Sequence, residues 1–556
     1  MSSHSRKSPN LSLLTERLRQ GRVDRREFLR TATLLGASAG SAYALSGLGT
    51  PAIAQEPLPQ GGTIRIGMPV PEVTRPHSFA SPEQSNVARQ VLQYLTRTGY
   101  DNVTRPLLLE RWEPSEDLTT WTLHLRRDIT WHSGRPFTAE DVAWNLRRVL
   151  DPEVGSSMLG LMGPYLTEKV ETGETDDEGA PVTTSKLWSE TAIEVLDTHT
   201  VRLNLKVPQL AVPEHLFNFP MLIMDPDEGG EFGVGANGTG PFRLTEHLVG
   251  ERATLEALPE YWGEGPNADR VVFIDLGDDP GASVSALASN QVDGLIRIDE
   301  SSVPVLEPIP NITIYEAETA QTGVARGKAD RPPFDDPRVR KALRLAIDSD
   351  RVRRVVMGTR GTTGGHHHVA PVHPGYAELP MFEQDQETAR ELLAEAGYPD
   401  GFDTEITVRQ SPSWELNSVI AMAEMWAQVG IRAEVKSMPS ALYWDIWETS
   451  PFSFTGWGHR PLELTVLSLA YRSGGGFNES NYSNPEFDAL LTKAEGIVDP
   501  DERRPVIEEI ERLLQEDGPI VQPIWRTTMT AYHDRVKGVR MHPTHYIFAE
   551  DLAIER

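Results

Sequence analysis

No cysteine occurs among the 556 residues, so disulfides, thiolate nucleophiles and attachment of lipid to an N-terminal cysteine are all excluded. Basic residues are scarce: 53 Lys and Arg face 81 Asp and Glu. Phosphate backbones are bound by positive surfaces, so nucleic acid is excluded as a partner. Long hydrophobic runs are also missing. The stretch nearest to a membrane anchor, residues 31–49, is uncharged, but it holds four glycines and several hydroxyl side chains and is too weakly apolar to favour a bilayer. Catalytic signatures are missing too. "GASAG" at residues 36–40 matches the hydrolase elbow in form, yet it lies in a leader-like segment and is discarded. "GVARGKA" at residues 323–329 has three residues rather than four between its glycines, and Ala329 stands where a magnesium-binding hydroxyl belongs. No His-Glu-x-x-His pair appears, and no Ser, His and Asp stand in a recognisable catalytic context.

What is present has the composition of a soluble globule, with 39% hydrophobic and 24% charged residues. The length exceeds what one core usually holds and predicts two or three domains. The first 54 residues differ from the rest, carrying eight Lys and Arg against three Asp and Glu, and they end in "PAIA" before Gln55. A basic start, an uncharged middle and an Ala-x-Ala end at Ala52 and Ala54 are the order of a cleaved secretory signal. The run "DRREFLR" resembles the twin-arginine export signal through Arg25, Arg26, Phe28, Leu29 and Arg30. That likeness implies export through the twin-arginine machinery, cleavage near Ala54 and a soluble periplasmic protein. Without residues 1–54, 45 of the 53 basic and 78 of the 81 acidic residues remain, a formal charge of −33.

Local patterns alternate between strand and helix. "GGTIRIGMPV" predicts a first strand through Thr63, Ile64 and Ile66, and "WTLHLRRDITWHSGRPF" reads as a hairpin pairing Trp121, Leu123 and Leu125 with Ile129 and Trp131. Thr138 and Asp141 form a capping box for a helix with Val142, Leu146, Val149 and Leu150 inward. Asp336 and Pro337 start another, with Val339, Ala342, Leu343, Ala346 and Ile347 at core spacing. "DQETARELLAEAG", "TEITV", "IAMAEMWAQVG" and "IRAEV" then give helix, strand, helix and strand, with stops at Gly397 and Gly430. This alternation predicts α/β layers.

Four blocks carry a family resemblance. They are "LLLERWEPSEDLTTWTLHLRRDITWHSGRPFTAEDVAWNLRRVLDP", "GTGPFRLTEHLVGERATLEALPEYWGEGPNADRVVF", "PPFDDPRVRKALRLAID" and "YSNPEFDALLTKAEGIVDPDERRPVIEEIERLLQEDGPIVQPIW". In this order they resemble the peptide/nickel class of extracellular solute-binding proteins that serve ABC importers, over residues 56–556. The resemblance implies an α/β, two-lobed clamshell of the type II peptide-binding class with an extra inserted α/β domain. It places lobe I at residues 55–95, 240–315 and 520–556, the inserted domain at 96–239 and lobe II at 316–519, with ligand held in the cleft. It further implies no catalysis, no cofactor, a monomer, and delivery of a small or peptide-like ligand to a permease with its ATPase subunits. The aromatics around Trp121 and Trp131 are then scaffold.

The expected ligand contacts lie in three segments. In "FTGWGHRPLELTVLSLAYR" the peptide-binding relatives keep an Asp three residues after the Trp, where it pairs with a free amino group; here Trp457, Gly458 and His459 lead to Arg460. A guanidinium repels an ammonium, so free peptides lose that anchor, and Arg460 can instead fork onto a carboxylate or phosphate unless Glu463 takes it. In "VRQSPSWELN", Ser413 stands where the dipeptide-binding branch places a carboxylate-binding Arg, with Arg409 four residues before and Trp414 after. In "GGHHHVAPVH", His366, His367 and His368 follow a glycine pair. Three readings stand for them: a hydrogen-bonded loop, contact with an organic ligand, or capture of nickel or a metal chelate, for which consecutive residues of an extended loop converge poorly. A periplasmic enzyme on the same scaffold is the alternative of a different class, opposed by the missing nucleophile and metal motifs.

Overall fold

The computed structural model describes residues 14–15, 17–18, 25–34, 57–175, 181–475 and 477–556. The chain forms two compact units, Met1–Glu316 with Met529–Arg556 and Ala317–Thr528. Of the leader-like segment, Arg25–Leu34 is an α-helix with Phe28 and Leu29 buried, whereas Ala52 and Ala54 lie outside the described residues.

The first unit contains two larger sheets. In one, Thr63–Gly67 runs parallel to both Arg270–Ile274 and Gly294–Leu295, and Arg252–Ala257 and Phe242–Leu248 add antiparallel strands on one side. Gly294 and Leu295 pair in turn with Tyr532 and Ala531. The other sheet is antiparallel, in the order Leu109–Pro114, Thr120–Leu125, Thr200–Asn204, Ile193–Asp197. Trp121, Leu123 and Leu125 alternate inward as expected, but their strand partners differ from the expected hairpin. Both edges of Thr120–Leu125 are taken by Leu109–Pro114 and Thr200–Asn204. Residues 129–137 close on themselves instead, through Trp131 N–H to the Arg135 carbonyl and Phe137 N–H to the Ile129 carbonyl. Trp121 and Trp131 are both buried core, each with its indole N–H bonded, to the Gln209 carbonyl at 3.1 Å and to Asp141 at 3.2 Å. The same Asp141 accepts from Thr138 N–H at 2.9 Å and so caps Ala139–Val149, as the sequence predicts.

The second unit is built on a mixed sheet. Ile312–Gly327 pairs antiparallel with Phe452–Trp457, which neighbours Phe402–Arg409 in parallel, and Ile431–Met438 follows in parallel. Helix Ser413–Ala427 connects the last two, and its Val419, Met422, Met425 and Trp426 join Ile406, Val408, Phe452 and Phe454 in one core. A parallel neighbour requires such a crossover, because two parallel strands leave no room for a tight turn. Helix Pro337–Leu345, capped by Asp336 on Arg338 N–H at 2.8 Å, adds Val339, Ala342 and Leu343 to that core. The second unit reaches Thr528: Trp525 and Ile524 pair with Thr362 and Thr363, and Ile524 belongs to the same core.

Candidate functional site

Several sequence-expected residues meet at one end of the second unit's sheet. Arg409 ends the strand Phe402–Arg409, Trp457 ends Phe452–Trp457, and Ser413 and Trp414 open helix Ser413–Ala427. The two strands run parallel, so both present their carboxyl ends on the same side. In α/β sheets ligands gather beyond such ends. The helix start lies close against the strand end because residue 456 is glycine: a Cβ there would stand 2.2 Å from Glu415 Oε1 and 3.0 Å from the Trp414 ring.

The segment that follows Trp457 is pinned at three points. The Trp457 indole donates to Glu479 Oε1 at 2.8 Å. Ala320 N–H donates to His459 Nδ1 at 3.0 Å, which leaves that ring's proton on Nε2. His373 accepts Ala370 N–H on Nδ1 at 2.9 Å and therefore donates from Nε2 to the Arg460 carbonyl at 3.1 Å. Gly458 is exposed and Arg460 half-buried, its Nη1 donating to the His459 carbonyl at 3.1 Å. Glu463, the acid nearest to Arg460 in sequence, accepts from Arg503 Nε at 3.0 Å, with both side chains buried. Burial pushes the Glu463 carboxyl up, but the Arg503 charge, together with His373 and the hydrogen bonds from Arg503 and the Glu463 backbone, holds the group below its ordinary value.

Arg409 is committed to Glu415. Its Nε donates to Glu415 Oε2 at 2.9 Å and its Nη2 to Oε1, while the guanidinium lies 4.9 Å from the Trp444 ring. Glu415 is fully buried, and that burial keeps its carboxyl above the ordinary value against the attraction of Arg409. Trp414 is buried against Phe454, ring centroids 6.0 Å apart, and carries the guanidinium of Arg526 at 4.4 Å. Arg526, which also donates to Gln321 Oε1 at 3.4 Å, was not among the expected residues. Its signal in the sequence is a single cation in the apolar and hydroxyl-rich strand "IWRTTMTAYH".

The histidine loop turns inward. Gln522 N–H donates to His366 Nδ1 at 2.9 Å, and His366 N–H returns a bond to Gln522 Oε1 at 3.1 Å. His367 Nδ1 accepts from Val369 N–H at 3.3 Å, and His368 Nδ1 shares a 2.6 Å hydrogen bond with the Tyr471 hydroxyl. The His368 ring also stands edge-on to Trp457 at 5.4 Å. Burial drives all three imidazoles well below their ordinary pKa, His367 to about 3, so they are neutral. The three neighbouring rings thus have separate partners. Among the described residues no group of three or more His, Cys, Asp or Glu is placed to hold a metal ion.

Known proteins share this architecture. The family model for bacterial extracellular solute-binding proteins, family 5 (middle region), matches residues 103–478. The periplasmic oligopeptide-binding protein OppA of Haemophilus influenzae is 25% identical over 476 residues, covering 81% of this chain and 85% of that protein. The structure of the periplasmic binding protein DppA from Helicobacter pylori in complex with the peptide STSA superposes with a TM-score of 0.75 at 20% identity, over 90% of this chain and 99% of that one. AgaA in complex with agropinic acid, from A. tumefaciens R10, gives 0.75 at 22% identity over 89% and 99%. These structures share the mixed α/β fold described above. With more than half of its length matched by the family model, the chain belongs to family 5 of the bacterial extracellular solute-binding proteins.

Proposed function

We propose that this solute-binding protein is exported by the twin-arginine route and captures a peptide-like or anionic small organic solute for an ABC permease and its ATPase subunits. Trp457, Gly458, His459 and Arg460, with Ser413 and Trp414 at the same sheet end, are the proposed contacts. The observation that carries the reading is Arg460, half-buried on a pinned segment at the position where the family resemblance implies an ammonium-pairing acid in peptide binders. A guanidinium there repels the free amino end of a peptide and suits a carboxylate or phosphate, which it can grip with two parallel hydrogen bonds. Arg526 on Trp414 adds a second cation to the same unit. That AgaA was solved with agropinic acid supports an acidic organic cargo on this fold.

Calorimetry against neutral free dipeptides, acidic or capped peptides and opine-type acids tests the reading. Anionic or capped solutes are expected to bind better, and Arg460→Ala to weaken them by about 2–4 kcal/mol, roughly 30- to 1000-fold. Tight binding of neutral free dipeptides, undiminished by Arg460→Ala, would refute it.

A further inference from the structure

Glu479 is a buried carboxylate, 4% exposed, that gathers four donors. Oε1 accepts from the Trp457 indole at 2.8 Å. Oε2 accepts from Thr455 Oγ1 at 2.5 Å, from Arg326 Nε at 3.1 Å and from the Trp447 indole. Arg326 is fully buried, balances the charge, and is itself tied to the carbonyls of Ser450, at 2.7 Å, and Trp447. Phe477, two residues before Glu479, stands edge-on to both indoles, 5.5 Å from Trp447 and 6.4 Å from Trp457. Trp444 extends the row at 5.7 Å from Trp447.

This row is exposed at one end. Trp447 and Phe477 are half-buried, and Trp444 is 45% exposed beside Leu442 at 57% and Ile446 at 37%. A half-exposed indole ordinarily turns its N–H to water; here that of Trp447 turns inward onto the carboxylate that also holds the buried Trp457. Fixing two tryptophans before any ligand arrives lowers the ordering cost of binding. A buried ion pair contributes little stability that apolar packing could not supply, so its use to hold two indoles points to orientation. The row is continuous with Trp457, which opens the segment carrying Arg460.

We infer that Glu479 is a positioning residue for cargo selection: it fixes Trp447 and Trp457 so that, with Phe477 and Trp444, they form an aromatic surface for a cargo carrying a flat aromatic group beside its anionic one. The inference rests on the anionic-cargo reading above and deepens it. Neither Glu479 nor Phe477 stands out in the sequence, because the carboxylate's partners lie 22, 24, 32 and 153 positions away.

The test is calorimetry of the full chain with N-acetyl-Ala-Trp and N-acetyl-Ala-Ala, two capped peptides of equal charge. The tryptophan peptide is expected to bind about tenfold more tightly, as stacking on fixed aromatic faces gives. Phe477→Ala is expected to reduce that preference to about threefold or less. Glu479→Gln, which removes the charge that holds both indoles, is expected to do the same. If its buried Arg326 prevents folding, Trp447→Phe, which keeps a ring and loses the N–H, reports in its place. Equal affinities in the unaltered protein, or a preference undiminished in both Phe477→Ala and Trp447→Phe, would overturn the inference. If the unaltered protein binds neither peptide, the anionic-cargo reading falls and takes the inference with it; equal binding of both sinks the inference alone.

Discussion

The loop with three consecutive histidines and the segment from Trp457 to Arg460 look alike in sequence, each a short polar and aromatic run beside glycine. In the structure they do opposite things. Each histidine of the loop is no more than 2% exposed and hydrogen-bonded through one ring nitrogen, His366 to Gln522, His367 to Val369 of its own loop and His368 to Tyr471. The second segment is fixed through its indole, its imidazole and one carbonyl, while Gly458 is exposed and the Arg460 side chain half-buried. Residue type thus says little about role until the partners of each polar atom are counted. His373 links the two regions, since it accepts from the backbone of the first and donates to the backbone of the second.

The sharpest way to break this contrast is at Glu463. If Glu463 belongs to the buried framework through Arg503 rather than to Arg460, Arg503→Met should lower stability by about 3–5 kcal/mol, because it strands a buried carboxylate. Arg460→Ala should leave the urea midpoint nearly unchanged. Comparable losses in the two variants would show that Glu463 serves both.

Acid probes the histidine side next. Their folded pKa lies below the ordinary 6.5, His367 at about 3, so below pH 6.5 the unfolded chain takes up protons that the folded one refuses. Their contribution is intact above pH 6.5 and is lost as pH falls toward 3. Each buried neutral histidine should therefore remove roughly 2 kcal/mol by pH 5. Urea midpoints at pH 7.5 and 5 measure this, and His367→Phe should flatten the decline. A midpoint that does not move would mean that these rings are open to protons in the folded state.

The smallest effect is expected from metal. Protein purified without an affinity tag should carry no stoichiometric nickel or zinc, and added nickel should leave the melting temperature unchanged, since each ring of the loop is buried with Nδ1 engaged by a separate partner. One firmly held metal per chain, lost when His367 and His368 become alanine, would erase the distinction between the two regions.

Much of the fold was legible because its signals are local. Thr138 and Asp141 sit three residues apart and cap one helix; Asp336 and Pro337 start another; and the strand, helix and strand through residues 402–438 follow from periodicity and two glycine stops. The expected pairing of residues 121–125 with 129–131 failed for the opposite reason. Alternation marks which face of a strand is buried, and it is silent on which neighbour supplies the hydrogen bonds; the strand 200–204 took the place from 75 or more positions away.

By itself the sequence determined the α/β class, the family, the absence of thiol chemistry, the acidic balance and the cation at position 460, since each is a property of residue identity or short-range order. Only tertiary structure decided which polar groups pair with one another. Arg409 reads as a site residue along the chain and Glu463 as a partner for Arg460, yet Arg409 is bound to Glu415 and Glu463 to Arg503, and two indoles are fixed by Glu479, which no neighbour in sequence announces. Coulomb and hydrogen-bond energies fall with distance in space, and the fold alone sets those distances.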